Sequence, residues 1–131
     1  MATARDIMNP NVARIERDAT AAEAITKMND LRVSSLMVEK SNPRDTFGIV
    51  TMGDVVTQVV ADGLDLNAVR VHEIMTKPVI VIMPDLSVKH VARLFANNGI
   101  SRAPVIDNNE LVGIITFHDI LADVHLIDQM G

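Results

Sequence analysis

At residues 48–54 the chain reads GIVTMGD, and at residues 113–119 it reads GIITFHD. The two stretches are 65 residues apart. A short apolar run is typical of a buried strand, and Thr-x-x-Asp after it is typical of the start of a helix. The same junction between a strand and a helix therefore occurs twice, which indicates an internal duplication.

A second pair of matches precedes these junctions. The chain reads DIM at residues 6–8 and EIM at residues 73–75, an offset of 67. Because the offset then falls by two, the first copy carries two extra residues. We place them in the loop at residues 40–46, whose counterpart is 107–110, since Asn, Asp and Pro form turns and loops tolerate changes of length. The chain therefore divides into two repeats, residues 1–66 and 67–131.

Each repeat follows the order β-α-β-β-α. Short apolar runs predict strands at residues 12–15, 36–38 and 47–50 of the first repeat, and at 79–83, 103–106 and 111–115 of the second. Helical spacing follows the first strand of each repeat, with Thr20 and Ser87 as N-caps. The last helix of the first repeat is rich in valine and is predicted to end at Gly63, and its counterpart extends to Val124.

The predicted fold is α/β (α+β by some schemes). Only 2% of the residues are aromatic, and a repeat of this length is marginally stable alone. We therefore expect the two β-α-β-β-α repeats to pack through their sheets about a pseudo-twofold axis, with two related clefts between them.

Composition argues against several classes of function. The net charge is −5 and no basic block stands out, so nucleic acid is not an expected partner. The apolar run at 79–83 is far shorter than the roughly 20 residues that cross a bilayer, so no membrane partner is expected. The absence of cysteine excludes disulfides and thiolate nucleophiles and is consistent with a cytoplasmic protein.

Three motifs together resemble the CBS (cystathionine β-synthase) domain: the repeated Gly-aliphatic-aliphatic-Thr-x-x-Asp, the Asp/Glu-Ile-Met opening, and GISRAPVID at residues 99–107. In order and spacing the chain is similar to a stand-alone tandem CBS pair, or Bateman module. The resemblance implies binding of AMP, ADP, ATP or S-adenosylmethionine between repeats, frequent homodimerisation, and regulation of an effector protein that the sequence does not identify. It implies no enzyme activity and no catalytic cofactor.

The repeated Thr-x-x-Asp motif has two interpretations. The resemblance places ribose recognition on Asp54 and Asp119, since a carboxylate can accept hydrogen bonds from two vicinal hydroxyls, with Thr51 and Thr116 beside it. The same spacing also forms a capping box, which explains the motif without any ligand. The two interpretations are compatible.

Phosphate groups would need cations near these junctions. Arg32 occupies a position at which nucleotide-binding CBS proteins carry a phosphate-contacting arginine, but its counterpart in the second repeat is Gly99. Arg102 is the candidate replacement there, because a planar guanidinium suits phosphate oxygens. Both could equally be ordinary surface arginines.

Adenine would need an apolar slot. The candidate lining residues are Val12, Leu36 and Met37 in the first repeat and Val79, Ala103 and Pro104 in the second. For Leu36 we favour a core position. Met37 stands where the second repeat has Pro104, so we expect the site of Asp119 to keep the better slot for the base.

His118 next to Asp119 raises the possibility of a metal-dependent phosphohydrolase. Its counterpart in the first repeat is Gly53, so the histidine is not part of the repeat. No other histidine stands at a spacing typical of metal ligands, and we therefore expect no metal site. His118 could instead lie beside a bound phosphate and make affinity depend on pH. The main alternative to ligand sensing, ahead of the phosphohydrolase, is a ligand-free scaffold for dimerisation and protein interaction.

Overall fold

The protein is described here by a computed structural model that covers residues 2–77 and 80–124. The fold is mixed α/β and consists of two repeats. Its elements in chain order are α1 (Ala4–Ile7), β1 (Arg14–Ile15), α2 (Ala21–Leu31), β2 (Ser35–Val38), β3 (Gly48–Thr51), α3 (Met52–Val55), a π-helical turn (Val56–Val60), α4 (Val71–Ile74), α5 (Val88–Asn98), β4 (Arg102–Asp107), β5 (Glu110–Thr116) and α6 (Phe117–Asp123).

These elements form two compact units. The first-repeat unit is Ala13–Val79, and the second-repeat unit is Met1–Val12 together with Ile80–Gly131. The units are therefore offset from the sequence halves 1–66 and 67–131. The N-terminal segment belongs with the second repeat, and the segment before residue 80 belongs with the first.

The first-repeat unit contains a three-stranded sheet. Strand β2 pairs in parallel with β1 and antiparallel with β3. Helix α2 makes the crossover between the two parallel strands, and its start is confirmed at Thr20, whose hydroxyl accepts from the Glu23 amide at 3.1 Å. The core is aliphatic and contains the fully buried Met28, Leu36 and Val50. The predicted first strand is shortened to two residues.

The second-repeat unit contains an antiparallel pair, β4 and β5. Their two-residue turn places Asn108 at φ 50° and Asn109 at φ 64°, values that match the tight hairpin turns favouring asparagine. Of the strand predicted at 79–83, the described residues 80–83 form only a single parallel bridge, Ile82 to Val105. Val79 lies outside the described residues.

The valine-rich last helix of the first repeat is not a regular α-helix. One α-helical turn, α3, continues into the π-helical turn, which buries Val59 and exposes Val56 and Val60. Gly63 ends this segment at φ 68°, with its amide donating to Val60 and the next amide donating to Val59. These two bonds form a Schellman motif, so the predicted C′ glycine is confirmed.

The opening motifs explain why the units are offset from the sequence halves. In the second-repeat unit, the amides of Asn9 and Ile114 each bond to the other residue's carbonyl at 2.9 and 3.0 Å. In the first-repeat unit, Thr76 and Ile49 form the equivalent pair at 2.9 and 3.2 Å. Each Asp/Glu-Ile-Met segment therefore lies against the Gly-aliphatic-aliphatic-Thr strand of the other sequence half.

The methionines of these openings cover the strand glycines. A Cβ added to Gly113 would lie 2.8 Å from Met8 Cγ and 3.0 Å from its Cβ. A Cβ added to Gly48 would lie 2.6 Å from Met75 Sδ and 3.3 Å from its Cγ. These distances are shorter than normal contacts between non-bonded atoms. Each methionine can therefore occupy its place only because the strand residue below it is glycine.

Candidate functional site

The four Thr-x-x-Asp residues stand at matching places in the two units. Thr51 ends β3 and Thr116 ends β5, and Asp54 and Asp119 lie in the first turn of the helix that follows each strand. Both aspartates are half-buried. The structure therefore places each carboxylate at the junction that the repeated motif predicts.

In the first-repeat unit the two residues cap each other. The Thr51 amide donates to Asp54 Oδ2 at 2.9 Å, and the Asp54 amide donates to the Thr51 hydroxyl at 3.1 Å. The other oxygen, Asp54 Oδ1, accepts a long 3.5 Å bond from the side chain of Gln58. Gln58 also donates to the Ile74 carbonyl at 3.1 Å. Sequence reasoning did not find Gln58, and the repeat offered no signal for it because its counterpart is Asp123.

In the second-repeat unit both contacts fall on one carboxylate oxygen. Asp119 Oδ2 accepts from the Thr116 amide at 2.8 Å and from the Thr116 hydroxyl at 3.1 Å. Within the part of the chain that the structure describes, Asp119 Oδ1 accepts no hydrogen bond from protein. This carboxylate is held in place and keeps one oxygen for a further donor.

The arginine candidates lie near these junctions. The Met52 amide donates to the Ser34 carbonyl at 3.0 Å, which brings the segment that follows Arg32 beside the start of α3. Arg102 pairs with Thr116 across the strands β4 and β5. Arg32 is therefore two residues from a residue that bonds to its junction, and Arg102 is paired with a residue of its junction.

Arg32 has an unusual backbone conformation. It is the exposed C-cap of α2 at φ 55°, ψ 45°, and Gly99 holds the same position after α5 at φ 62°. Left-handed geometry costs a residue with a Cβ about 1–2 kcal/mol, whereas glycine adopts it freely. Because an arginine occupies this position despite that cost, we infer that its side chain has a role.

The apolar candidates divide between the two faces of their strands. Leu36 belongs to the core of the first-repeat unit, as expected, and Ala103 belongs to the core of the second-repeat unit. Because side chains alternate along a strand, Met37 and Pro104 point to the face opposite that core, and both are also buried there. Since the Ala103 side chain is fully buried, it could line a ligand slot only through its backbone.

The remaining candidates are placed as follows. Val12 is half-buried at the end of the N-terminal segment, and its amide donates to the Pro10 carbonyl at 3.2 Å. His118 is exposed in the first turn of α6. Among residues 2–77 and 80–124, no three His, Cys, Asp or Glu side chains form a group that could hold a metal ion.

Two acidic side chains outside the junctions have perturbed ionisation. The Lys77 ammonium is the main cause of a strongly lowered pKa at Asp45, which also accepts from the Ser41 amide and hydroxyl at 2.8 Å. The Thr3 amide lowers the pKa of Asp6, the acidic residue of the first opening motif. Both carboxylates hold backbone segments in place. Asp45 fixes the longer loop, and Asp6 fixes the short helix α1.

Two surface depressions lie elsewhere. One of about 630 Å³ lies among charged residues of β1, of α2 and of the segment between them, including Arg14, Glu16 and Lys27. The other, of about 590 Å³, is apolar and lies between α5 and α6. Neither is lined by Asp54 or Asp119. None of the described helices combines the length and the apolar composition needed to span a bilayer.

Comparison with known proteins gives a consistent family. The chain is 42% identical to the hexameric CBS-CP12 protein of bloom-forming cyanobacteria, with a TM-score of 0.89 over 99% of this chain and 72% of that one. It is 30% identical to hypoxic response protein 1 of Mycobacterium tuberculosis over 92% of this chain and 83% of that protein. A crystal structure of that response protein with two coordinated zinc ions gives a TM-score of 0.80 over 94% of this chain and 99% of that one.

A further relative is an uncharacterised protein of Methanopyrus kandleri, 37% identical over 78% of this chain. The chain spans about half of that relative, 52% of its length. The family model for the CBS domain matches residues 4–61 and again residues 71–125. With two matches that together cover most of its length, the chain belongs to the CBS domain family as a tandem pair.

Proposed function

We propose that this protein is a regulatory module that binds an adenosine-containing ligand, namely AMP, ADP, ATP or S-adenosylmethionine, and signals its presence to a separate effector protein. Tandem CBS domains are in general regulatory ligand-binding modules. The observation that carries the proposal is the pair of equivalent carboxylates, Asp54 and Asp119, each fixed by its own threonine amide. In this proposal no residue is catalytic.

The ribose is the part of the ligand that these carboxylates suit. A carboxylate has about four acceptor positions, and at Asp119 the two used by Thr116 both lie on Oδ2. Oδ1 is left for the vicinal hydroxyls of a ribose, in hydrogen bonds strengthened by the charge. At Asp54 the Gln58 amide competes for the equivalent oxygen. We therefore assign the tighter site to Asp119.

Arg32 is the proposed phosphate contact of the first repeat. It keeps a backbone conformation that glycine holds at the equivalent position of the second repeat. Its exposed guanidinium is two residues from Ser34, whose carbonyl binds the start of α3. Arg102, beside Thr116, is the proposed phosphate contact in the second repeat.

We also propose that the protein self-associates, with a homodimer as the smallest assembly. Apolar side chains remain exposed on the last described helical segment of each unit, including Val56 at 57% and Phe117 at 54%. Adjacent apolar side chains exposed in this way favour a protein contact. A relative that is hexameric supports the same conclusion. A ligand can act through such an assembly only by binding one of its states more tightly than another.

The substitution Asp119→Asn tests ribose binding separately from helix capping. An asparagine oxygen still accepts from the Thr116 amide, but the charge that strengthens the ribose contact is lost. We expect affinity for AMP or ATP, measured by isothermal titration calorimetry, to fall at least tenfold, while the melting temperature without ligand changes by less than about 2 °C.

Asp119→Ala is the matched comparison, because it removes both the cap and the charge. If it lowers stability while neither variant alters the binding of any adenosine compound, Asp119 is only a capping residue. If, in addition, millimolar AMP, ADP, ATP and S-adenosylmethionine all fail to raise the melting temperature of the native protein, the scaffold hypothesis replaces ligand sensing.

Arg32→Gly is expected to raise stability and lower affinity in the same variant. Glycine relieves the left-handed conformation, which should stabilise the protein by about 0.5–1 kcal/mol in urea unfolding. Affinity for ATP should fall several-fold, whereas affinity for adenosine, which has no phosphate, should stay the same. Equal losses for both ligands would contradict a phosphate contact, and Arg44→Gly, in an exposed loop, is the control.

A further inference from the structure

The last helical segment differs between the two repeats. In the first repeat the Ala61 amide donates at 2.9 Å to the carbonyl of Val56, five residues back, and this bond closes the π-helical turn. The counterpart segment α6 is α-helical from Phe117 to Asp123. Single π-helical turns within helices are frequent at functional sites. The polar side chains of this turn are therefore candidates for a role that is particular to the first repeat.

Gln58, in the middle of the π-helical turn, joins two elements. Its Nε2 donates to the Ile74 carbonyl at 3.1 Å and makes the long 3.5 Å contact with Asp54 Oδ1. The contact with a carbonyl identifies this atom as the nitrogen, because the amide oxygen would repel the carbonyl oxygen. Across the described residues, Gln58 Oε1 accepts no hydrogen bond, and the side chain is exposed. This oxygen is therefore open to a ligand.

The Ile74 carbonyl belongs to the opening segment of the second repeat, residues 71–76. Ile74 is the last residue of α4, where carbonyls lack a partner within the helix. The next two residues, Met75 and Thr76, are the ones that pack on β3. In the chain, this segment directly precedes the boundary between the two units. Gln58 therefore links the Asp54 carboxylate to the segment that leads into the second-repeat unit.

The counterpart residue cannot make this link in the second repeat. At the offset of 65 residues, Gln58 corresponds to Asp123, and at the offset of 67 residues Ile74 corresponds to Ile7. An ionised carboxylate has no hydrogen to donate, so Asp123 cannot bond to the Ile7 carbonyl as Gln58 bonds to Ile74. The glutamine therefore gives the first-repeat site a connection that the motif Thr-x-x-Asp does not supply by itself.

We propose that Gln58 is a ligand-binding and positioning residue of the Asp54 site, and that a bound adenosine ligand holds the opening segment more firmly through it. The inference rests on the proposed function. One ribose hydroxyl donates to Asp54 Oδ1 in place of Gln58 Nε2, and the neighbouring hydroxyl donates to Gln58 Oε1. Nε2 keeps the Ile74 carbonyl as its acceptor. Because a bond accepted by the amide oxygen polarises the amide, its N–H becomes a stronger donor to Ile74.

Amide hydrogen exchange of the full chain, followed residue by residue by NMR with and without saturating AMP, tests this link. In Gln58→Ala without ligand, the amides of Met75 and Thr76 should exchange about threefold faster or more, because the Ile74 carbonyl loses its donor. AMP should slow these two amides about threefold in the native protein and leave them unchanged in Gln58→Ala.

Two further variants provide the controls. Gln58→Glu separates the two roles, since a glutamate can accept from a ribose hydroxyl but cannot donate to the Ile74 carbonyl. It should still bind AMP but show no AMP-dependent slowing. Thr57→Ala removes a hydroxyl on the same turn that bonds to the Gly53 carbonyl, and it should respond to AMP as the native protein does.

The outcomes separate this inference from the proposed function. If AMP binds and slows the amides of Met75 and Thr76 equally in the native protein and in Gln58→Ala, the role of Gln58 is wrong and the proposed function stands. Unchanged exchange in Gln58→Ala without ligand would equally overturn it, since the bond to Ile74 would then not hold the opening segment. If none of AMP, ADP, ATP and S-adenosylmethionine binds, the proposed function is wrong, and this inference with it.

Discussion

Gly113→Ala is expected to destabilise the protein by about 1–3 kcal/mol, although the substitution adds a single methyl group. The new Cβ would lie 2.8 Å from Met8 Cγ and 3.0 Å from Met8 Cβ. These atoms are close to the backbone, and the amide of the following residue, Asn9, bonds to Ile114 at 2.9 Å. The methionine cannot move aside without breaking the pairing of the opening segment with β5. Urea unfolding of the full chain measures the loss.

Gly48→Ala is the matched comparison in the other unit. There the new Cβ would lie 2.6 Å from Met75 Sδ, while Met75 Cγ lies at 3.3 Å. A flexible side-chain end can rotate away, so we expect a smaller loss than for Gly113→Ala. Met8→Ala should recover part of the stability of Gly113→Ala in a double-mutant cycle. An additive cycle would contradict a direct contact between Met8 and Gly113.

Repeat periodicity predicted most of the local structure, because the signals concerned are local. Each of the confirmed features depends on a few neighbouring residues. They are the helix starts at Thr20 and Ser87, the C′ glycine at Gly63 and the difference in loop length between the copies. The π-helical turn was not predictable in this way. Apolar spacing indicates that a helix is present but does not determine whether packing adds a residue to one turn.

The sequence also did not predict that each opening segment packs on the strand of the other sequence half. Asp6 and Glu73 head equivalent motifs, and Gly48 and Gly113 head equivalent strands. Since the copies are alike, either opening could have packed on either strand. The observed choice is a property of the whole chain, whereas motif spacing is a property of each repeat.

As with the fold, the sequence predicted only part of the candidate site. The positions of Asp54 and Asp119 followed from the motif, and so did their capping bonds. Which carboxylate keeps a free oxygen did not follow, because it depends on the orientation of the Thr116 hydroxyl and on Gln58. Because side chains alternate along a strand, Ala103 shares a face with Val105, and both lie in the core. The short apolar run contains no polar residue, however, so the sequence did not show which face is buried.

Replacing residues 4–9 with a Gly-Ser stretch of equal length is expected to destabilise the second repeat and to leave the first intact. The replaced segment contributes the fully buried Ala4, whose amide donates to the Leu86 carbonyl at 2.8 Å, and Met8, which covers Gly113. Losing the burial of Ala4, Ile7 and Met8 costs roughly 3 kcal/mol or more. Hydrogen exchange should therefore accelerate at least tenfold in β5 and around Leu86, while β2 and β3 keep their protection.

The converse replacement, of residues 71–76, provides the control. It removes the buried Val71 and Ile74 and the backbone pairing of Thr76 with Ile49, so exchange should accelerate in β3 and be unchanged in β5. If each opening segment instead served its own sequence half, the two patterns would be reversed. The experiment therefore shows which strand each Asp/Glu-Ile-Met motif stabilises, because the two variants differ only in which of two nearly equivalent segments is lost.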